Sequence, residues 1–350
     1  MLWWEAGTMT YSDKPCIVIA EAGVNHNGSI DLAKDLVLEA RDCGADYIKF
    51  QTFVPSLVAS SDAPTAGYQS SAGFLDQQSM LEGLMLNDEE HSSLRSYCEQ
   101  AGIGFSSTGH DIDSAEYLQK LGQDFVKIGS GDLTNWQLLE KVSRFGKPIF
   151  LSTGASTLEE VADTLLFLES CGVSPATDVT LMQCTSAYPA PEREANIRVL
   201  TTYVDRFGCK VGYSDHTQTF ESALAAITLG ASVIEKHLTL DRSMTGPDHK
   251  ASLEPSGFAD YVSAIRRTEE ILGSNRKLVT RSEKENQSVI RKSLYARTEI
   301  KAGDKFSEKN IVAKRPSGRI PASAWSYVRG QRAQRTYLTD EPIDVSSPEE

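Results

Sequence analysis

From Cys16 to about Leu240, short runs of apolar residues alternate with helix-length stretches. The runs are CIVIAEAG at 16–23, YIKFQT at 47–52, GFSST at 104–108, FVKIGS at 125–130, PIFLST at 148–153, VTLMQCT at 179–185, KVGYSDH at 210–216 and SVIEKHLT at 232–239. Each is nearly continuous in apolar residues, as expected of a strand covered on both faces, and therefore of a parallel sheet. Between the last two runs lies ESALAAITLGA, apolar at helical spacing with a stop at Gly230. Eight strand–helix units in roughly 250 residues predict a closed (β/α)8 TIM barrel. A doubly wound open sheet is the alternative.

Polar residues gather at the C-terminal end of every run: Glu21; Lys49 and Gln51; Ser107 and Thr108; Lys127 and Ser130; Ser152 and Thr153; Thr185 and Ser186; Ser214 and His216; Glu235 and His237. In a barrel this rim carries the chemistry. Side chains two apart on a strand share a face, so Lys49 with Gln51, Ser214 with His216 and Glu235 with His237 point into the barrel mouth together. Lys236 then points the other way, towards the helices. The long polar loop from about Pro55 to Leu86 has the length of a site cover, with Tyr68 and Gln69 as candidates for facing ligand.

The rest of the chain changes character. Residues 1–15 read as an N-terminal extension and 16–273 as the catalytic barrel, whose last helix spans 256–273. Residues 274–290 are polar and charged and read as a linker. Residues 291–345 hold short segments with turn signals at Ala302-Gly303-Asp304 and Pro316-Ser317-Gly318, predicting a small domain of short strands. It is too small to hold a large core by itself. The tail SSPEE reads as disordered.

Composition narrows the function. The net charge of −13 argues against non-specific binding to nucleic acid or an anionic membrane surface. No apolar run approaches the length of a bilayer span, and the first residues lack the pattern of a secretory signal. The six cysteines are scattered without CxxC spacing, which suits buried thiols in a reducing compartment; a cytoplasmic protein is expected.

Two lysines, Lys49 and Lys127, sit at separate strand ends among the hydroxyls of Thr108, Ser130, Ser152, Ser186 and Ser214. Such a set suits a phosphate or carboxylate. A lysine–glutamate pair tying two strands together is the structural alternative. His216 and His237, with Asp215, Glu235 and Asp248 near by in the chain, suggest a divalent metal with open positions. Each histidine could instead merely cap its strand. A barrel lysine could also form a Schiff base, as in aldolases. The residues alone reach metal-assisted carbon–carbon chemistry on an anionic substrate.

The motifs IAEAGVNHNGS, IKFQT, VKIGSGD, LSTGA, CTSAYPAP, GYSDHT, EKHLTLDRSMTGPDHKASLEP and KRPSG together resemble the sialic acid synthase family. These are phosphoenolpyruvate-dependent synthases of N-acetylneuraminate, legionaminate and pseudaminate. The likeness runs from about Cys16 to Asp344. It implies a metal-containing barrel joined to a C-terminal antifreeze-like (SAF, β-clip) domain, in a homodimer whose small domain reaches the partner's barrel. It also implies condensation of phosphoenolpyruvate with an N-acylated mannosamine-type aldose, N-acetylmannosamine first and a diacetamido-trideoxy hexose as the alternative.

By that resemblance Lys49, Thr108, Lys127, Ser130, Ser152, Ser186 and Ser214 hold phosphoenolpyruvate. His216 and His237 ligate Mn2+ or Mg2+. Glu21, Gln51, Asp132, Tyr188 and Asp248 contact the sugar, with Arg315 supplied by the other subunit. Glu235, then Glu21, are the candidates for moving the water proton, alongside Lys127 in the catalytic set. The sequence departs from the family at Gly109-His110, where Pro-Phe is common, at Asp132, where glutamate is usual, and at Ser186, often asparagine or threonine.

Overall fold

The structure, a computed structural model, describes residues 15–60, 63–64 and 76–344. Tyr68, Gln69, residues 1–14 and the tail from 345 lie outside them. The chain divides into a larger unit ending at Gly273 and a smaller one beginning at Ser274.

In the larger unit eight parallel strands are described: β1 Ile17–Gly23, β2 Tyr47–Thr52, β3 Gly104–Gly109, β4 Val126–Ile128, β5 Ile149–Ser152, β6 Val179–Cys184, β7 Lys210–Asp215 and β8 Val233–His237. Their order, β3-β2-β1-β8-β7-β6-β5-β4, turns back on itself, because β3 also packs against β4. The sheet is therefore the closed barrel that the alternating pattern predicts, not the open alternative. Beside the β3–β4 seam a side chain assists the backbone: the Ser107 N–H donates to Gln123 Oε1 at 3.2 Å.

The helices form where caps and periodicity call for them. Ser29 caps Ile30–Asp42, and Asn87 and Thr157 make capping boxes at the starts of Asp88–Ala101 and Leu158–Ser170. Each such side chain satisfies a backbone N–H that the first helical turn leaves open. Val18, Ala20 and Ile48 face outward and join Leu36, Val37, Leu94 and Leu139 in the main core between barrel and helices.

The inward faces divide along the barrel axis. At the N-terminal end Ile19, Phe125, Phe150, Met182 and Val233 fill the interior, with Phe125 stacked on Phe150 at 4.3 Å. Two residues further along the same strands the inward positions become Glu21, Lys127, Ser152, Cys184 and Glu235. The strand period of two carries each strand from an apolar plug to a polar mouth.

The smaller unit pairs β9 Ser293–Ala296 antiparallel with β10 Ile311–Lys314. Its core is Leu294, Ala296, Ile300, Phe306, Ile311, Val328, Ala333, Tyr337 and Ile343. The segment read as a linker holds a helix, Arg281–Ile290, started by a capping box at Thr280. That box and the strong helix formers in the segment outweigh its lack of a buried face.

Candidate functional site

A cavity of about 420 Å³ opens at the C-terminal mouth of the barrel. Its lining includes Glu21, Lys49, Gln51, Thr108, Lys127, Ser130, Asp132, Ser152, Ser186, Tyr188, Ser214, His216, Glu235, His237 and Asp248. The substrate, catalytic and metal candidates of the larger unit are therefore brought together, whereas Asp215, near His216 in the chain, faces the helices and pairs with Lys236, and the rim residues Ser107 and Thr153 turn to Thr52 Oγ1 and Met182 O. Arg315 belongs to the smaller unit, where its Nε donates to Ile290 O at 3.0 Å. Thr185, counted among the rim residues, turns away and donates to Glu194 O at 2.9 Å.

The floor is a buried charge network. Lys49 Nζ lies 2.6 Å from Glu21 Oε2 and 3.8 Å from Glu235 Oε1, and donates to Thr108 Oγ1 at 3.0 Å. Lys127 Nζ donates to Glu235 Oε1 at 3.3 Å, and Ser214 Oγ reaches the same oxygen at 3.3 Å. Both lysines thus have carboxylate partners, as burial demands. The two carboxyls are driven apart. Burial, helped by the charge of Glu235, raises Glu21 above the ordinary carboxylate range despite Lys49. Burial also pushes Glu235 up, but Lys127 and Lys49 outweigh it and hold Glu235 below that range. The two carboxyls are thus pushed in opposite directions, the pattern from which an acid and a base are drawn.

Opposite lies a hydroxyl and amide cradle. The Gly154 N–H donates to Ser130 Oγ at 3.0 Å. A Cβ on Gly154 would stand 2.3 Å from Ser186 Oγ and 2.7 Å from Ser130 Oγ, so only glycine lets these groups converge. Over Gly23, whose φ is +52°, Glu21 Oε1, Gln51 Nε2 and Asp248 Oδ2 crowd together, and Gln51 Nε2 donates to Glu21 Oε1 at 3.1 Å.

The two imidazoles lie with ring centroids 5.4 Å apart, beside the Tyr188 ring. His216 donates from Nδ1 to Thr185 O at 2.8 Å, which leaves Nε2 bare. His237 is held well below the ordinary imidazole range by burial and by the positive charges of His216, Lys49, Lys236 and Lys127. Burial together with Glu21 raises Asp248 to about 6. Four buried polar atoms of the lining, Glu21 Oε2, Ser152 Oγ, Glu235 Oε2 and His237 Nδ1, have no hydrogen-bond partner, although Glu21 Oε2 is ion-paired with Lys49. Buried polar groups are rarely left so, and their convergence on one cavity points to a ligand. The donor set fits a divalent cation: two imidazole nitrogens, with remaining positions open to water or substrate oxygens. Among the described residues no group of three or more histidine, cysteine or carboxylate side chains is placed to hold a metal.

Sequence reasoning passed over several lining residues. Cys184 faces inward, its Sγ 3.7 Å from His216 Nδ1. Its parity with Met182 would have revealed it. Val24, Met80, Leu81 and Leu84 form an apolar wall; the last three belong to helix Gln77–Leu84 in the long loop after β2, and no strand periodicity reaches there. His110, which the sequence marks as a departure able to add a polar group to the site, does line the cavity; its Nδ1 lies 3.2 Å from Asp132 Oδ2, while Asn135 Nδ2 donates to Asp132 Oδ1 at 3.0 Å.

Residues 36–277 match the model of the NeuB family and residues 291–345 that of the SAF domain. The chain is 42% identical to the N,N'-diacetyllegionaminic acid synthase of Campylobacter jejuni, over 94% of this chain and 99% of that protein. It is 37% identical to the synthase of the same name from Legionella pneumophila, over 92% and 91%. The crystal structure of N-acetylneuraminic acid synthetase from Leptospira borgpetersenii, in complex with citrate, superposes with a TM-score of 0.70 at 29% identity, covering 78% of this chain and 90% of that one. The chain belongs to the NeuB family.

Proposed function

We propose that this member of the NeuB family condenses phosphoenolpyruvate with an N-acylated aldose and water, releasing phosphate and a nine-carbon 2-keto acid. The carrying observation is a cavity in which cationic, hydroxyl and imidazole groups converge with partnerless buried atoms among them. Its volume of about 420 Å³ suits two small substrates side by side.

The lysines and the Ser130–Gly154–Ser186 cradle would bind the phosphate and carboxylate of phosphoenolpyruvate. A divalent cation, Mn2+ or Mg2+, would be held by His216 and His237 and would supply Lewis-acid polarisation of the acceptor's aldehyde. C3 of phosphoenolpyruvate attacks the aldehyde carbon, whose oxygen takes a proton from Glu21. Water adds at C2 and gives its proton to Glu235, whose Oε2 is free while Oε1 is anchored. The tetrahedral carbon then expels phosphate, which leaves with the proton of the C2 hydroxyl as that hydroxyl becomes the ketone.

For the acceptor, the apolar wall of Val24, Met80, Leu81 and Leu84 and the likeness to two diacetyllegionaminic acid synthases favour a diacetamido-trideoxy hexose over N-acetylmannosamine. A methyl group in place of a hydroxymethyl leaves nothing polar to desolvate against that wall. Asp132, with both oxygens already engaged, would meet the sugar through His110. Arg315 would act in the partner's cavity of a swapped homodimer. Phosphate release from phosphoenolpyruvate with each sugar, followed by mass spectrometry of the product, tests the reading. No release with either sugar, with and without added Mn2+, would defeat it.

A further inference from the structure

Behind the two histidines, on the helix side of the barrel, stands a second buried ion pair that the reaction does not touch. Asp215 and Lys236 are cross-strand partners where the β7–β8 ladder ends. Lys236 Nζ lies 3.1 Å from Asp215 Oδ2, and the two side chains are 1% and 0% exposed. Each residue immediately precedes one of the two histidines, and strand alternation sends the pair outward as the imidazoles turn inward.

The pair is held from every side. Asp215 Oδ2 also accepts from the Tyr261 hydroxyl at 3.0 Å, and Oδ1 accepts from Tyr213 OH at 3.2 Å, Thr217 N at 2.9 Å and Thr217 Oγ1 at 2.8 Å. Lys236 donates to Thr217 O and sits 5.4 Å from the centre of the Tyr261 ring. Thr217 directly follows His216, so the backbone on both sides of that histidine is pinned. The β8 end is pinned as well: Leu238 N donates to Glu21 O at 2.8 Å and Asn25 Nδ2 to Leu238 O at 2.8 Å.

The surrounding layer is apolar, and a buried ion pair seldom stabilises a fold more than hydrophobic residues of like volume. What such a pair can supply is one fixed geometry. We propose that Asp215 and Lys236 are positioning residues that set the separation and aim of His216 and His237, so that the two imidazoles meet a divalent cation without rearrangement. The proposal rests on the metal reading above and adds to it a residue pair that never touches metal or substrate. Groups that orient ligands from behind typically govern about 10- to 100-fold in metal affinity.

The test is calorimetric titration of MnCl2 into the metal-free, full-length protein, its Lys236→Met variant and the Asp215→Asn/Lys236→Met double variant, with the electron paramagnetic resonance spectrum of bound Mn2+ and a thermal melt for each. Lys236→Met leaves a carboxylate buried without its counter-charge and should melt lower. The double variant removes both charges and should melt closer to the parent. Both should bind Mn2+ about 10- to 100-fold more weakly, with a broadened spectrum. Recovery of affinity along with stability in the double variant would show a merely structural pair and overturn the proposal. Parent-like binding by folded Lys236→Met would do the same, and if that variant does not fold the double variant decides. Absence of Mn2+ binding by the parent would instead defeat the metal reading itself.

Discussion

The Gly154→Ala substitution probes the anion cradle with one methyl group. The added Cβ would lie 2.3 Å from Ser186 Oγ, 2.7 Å from Ser130 Oγ and 3.2 Å from Ser130 Cβ. Both hydroxyls can swing away by rotation about χ1, so the fold should survive. Two displaced rotamers cost on the order of 1–3 kcal/mol, partly offset by about 0.4–1 kcal/mol from the smaller freedom of alanine in the unfolded chain. Binding suffers more, because the hydroxyls no longer meet the anion. A hydrogen bond to a charged group contributes about 1.5–3 kcal/mol, which is roughly 10- to 150-fold in affinity at 1.4 kcal/mol per tenfold. Initial rates of phosphate release at saturating acceptor should show KM for phosphoenolpyruvate raised by about that factor. The acceptor's KM should stay near that of the parent. An unchanged phosphoenolpyruvate KM in a folded variant would show that the cradle holds no anion.

His237→Ala should abolish turnover while leaving the thermal midpoint almost unmoved, and chelation with EDTA should silence the parent reversibly; full turnover in that variant would remove the metal from the scheme. Glu235→Gln should lower kcat by about 10²- to 10⁴-fold with little change in either KM, as for loss of a proton-moving group, and an equal loss in KM would recast Glu235 as a counter-ion for the lysines. Mixing inactive Lys127→Ala with inactive Arg315→Ala should restore part of the activity if Arg315 serves the partner's cavity; no recovery in verified mixed dimers would refute the swap. Burial lowers His26 and His91 to about 4 from 6.5, so between those values the unfolded chain binds protons that the folded chain does not. Stability should therefore be full above about pH 6.5 and fall as pH drops towards 4, by up to about 1.4 kcal/mol per pH unit for each histidine. Denaturant melts of His91→Leu should show a shallower acid slope, and an unchanged slope would place the acid sensitivity elsewhere.

What the sequence determined by itself was local and periodic. Continuous apolar runs between helical stretches set the strands, and parity within YIKFQT, KVGYSDH and SVIEKHLT placed Lys49, Gln51, Ser214, His216, Glu235 and His237 on the inner face. These follow from the chain's own geometry, since neighbours two apart on a strand must share a side. Barrel closure decided the rest, because it alone brings together residues that the chain keeps far apart. Lys127 meets Glu235 across 108 positions and, with Lys49, lowers it, while burial and the charge of Glu235 raise Glu21. His110 engages Asp132, helix Gln77–Leu84 supplies an apolar wall, and Cys184 arrives beside His216. A side chain's partners in space depend on how whole strands and loops pack, and no pattern of spacing along a single chain encodes that distance.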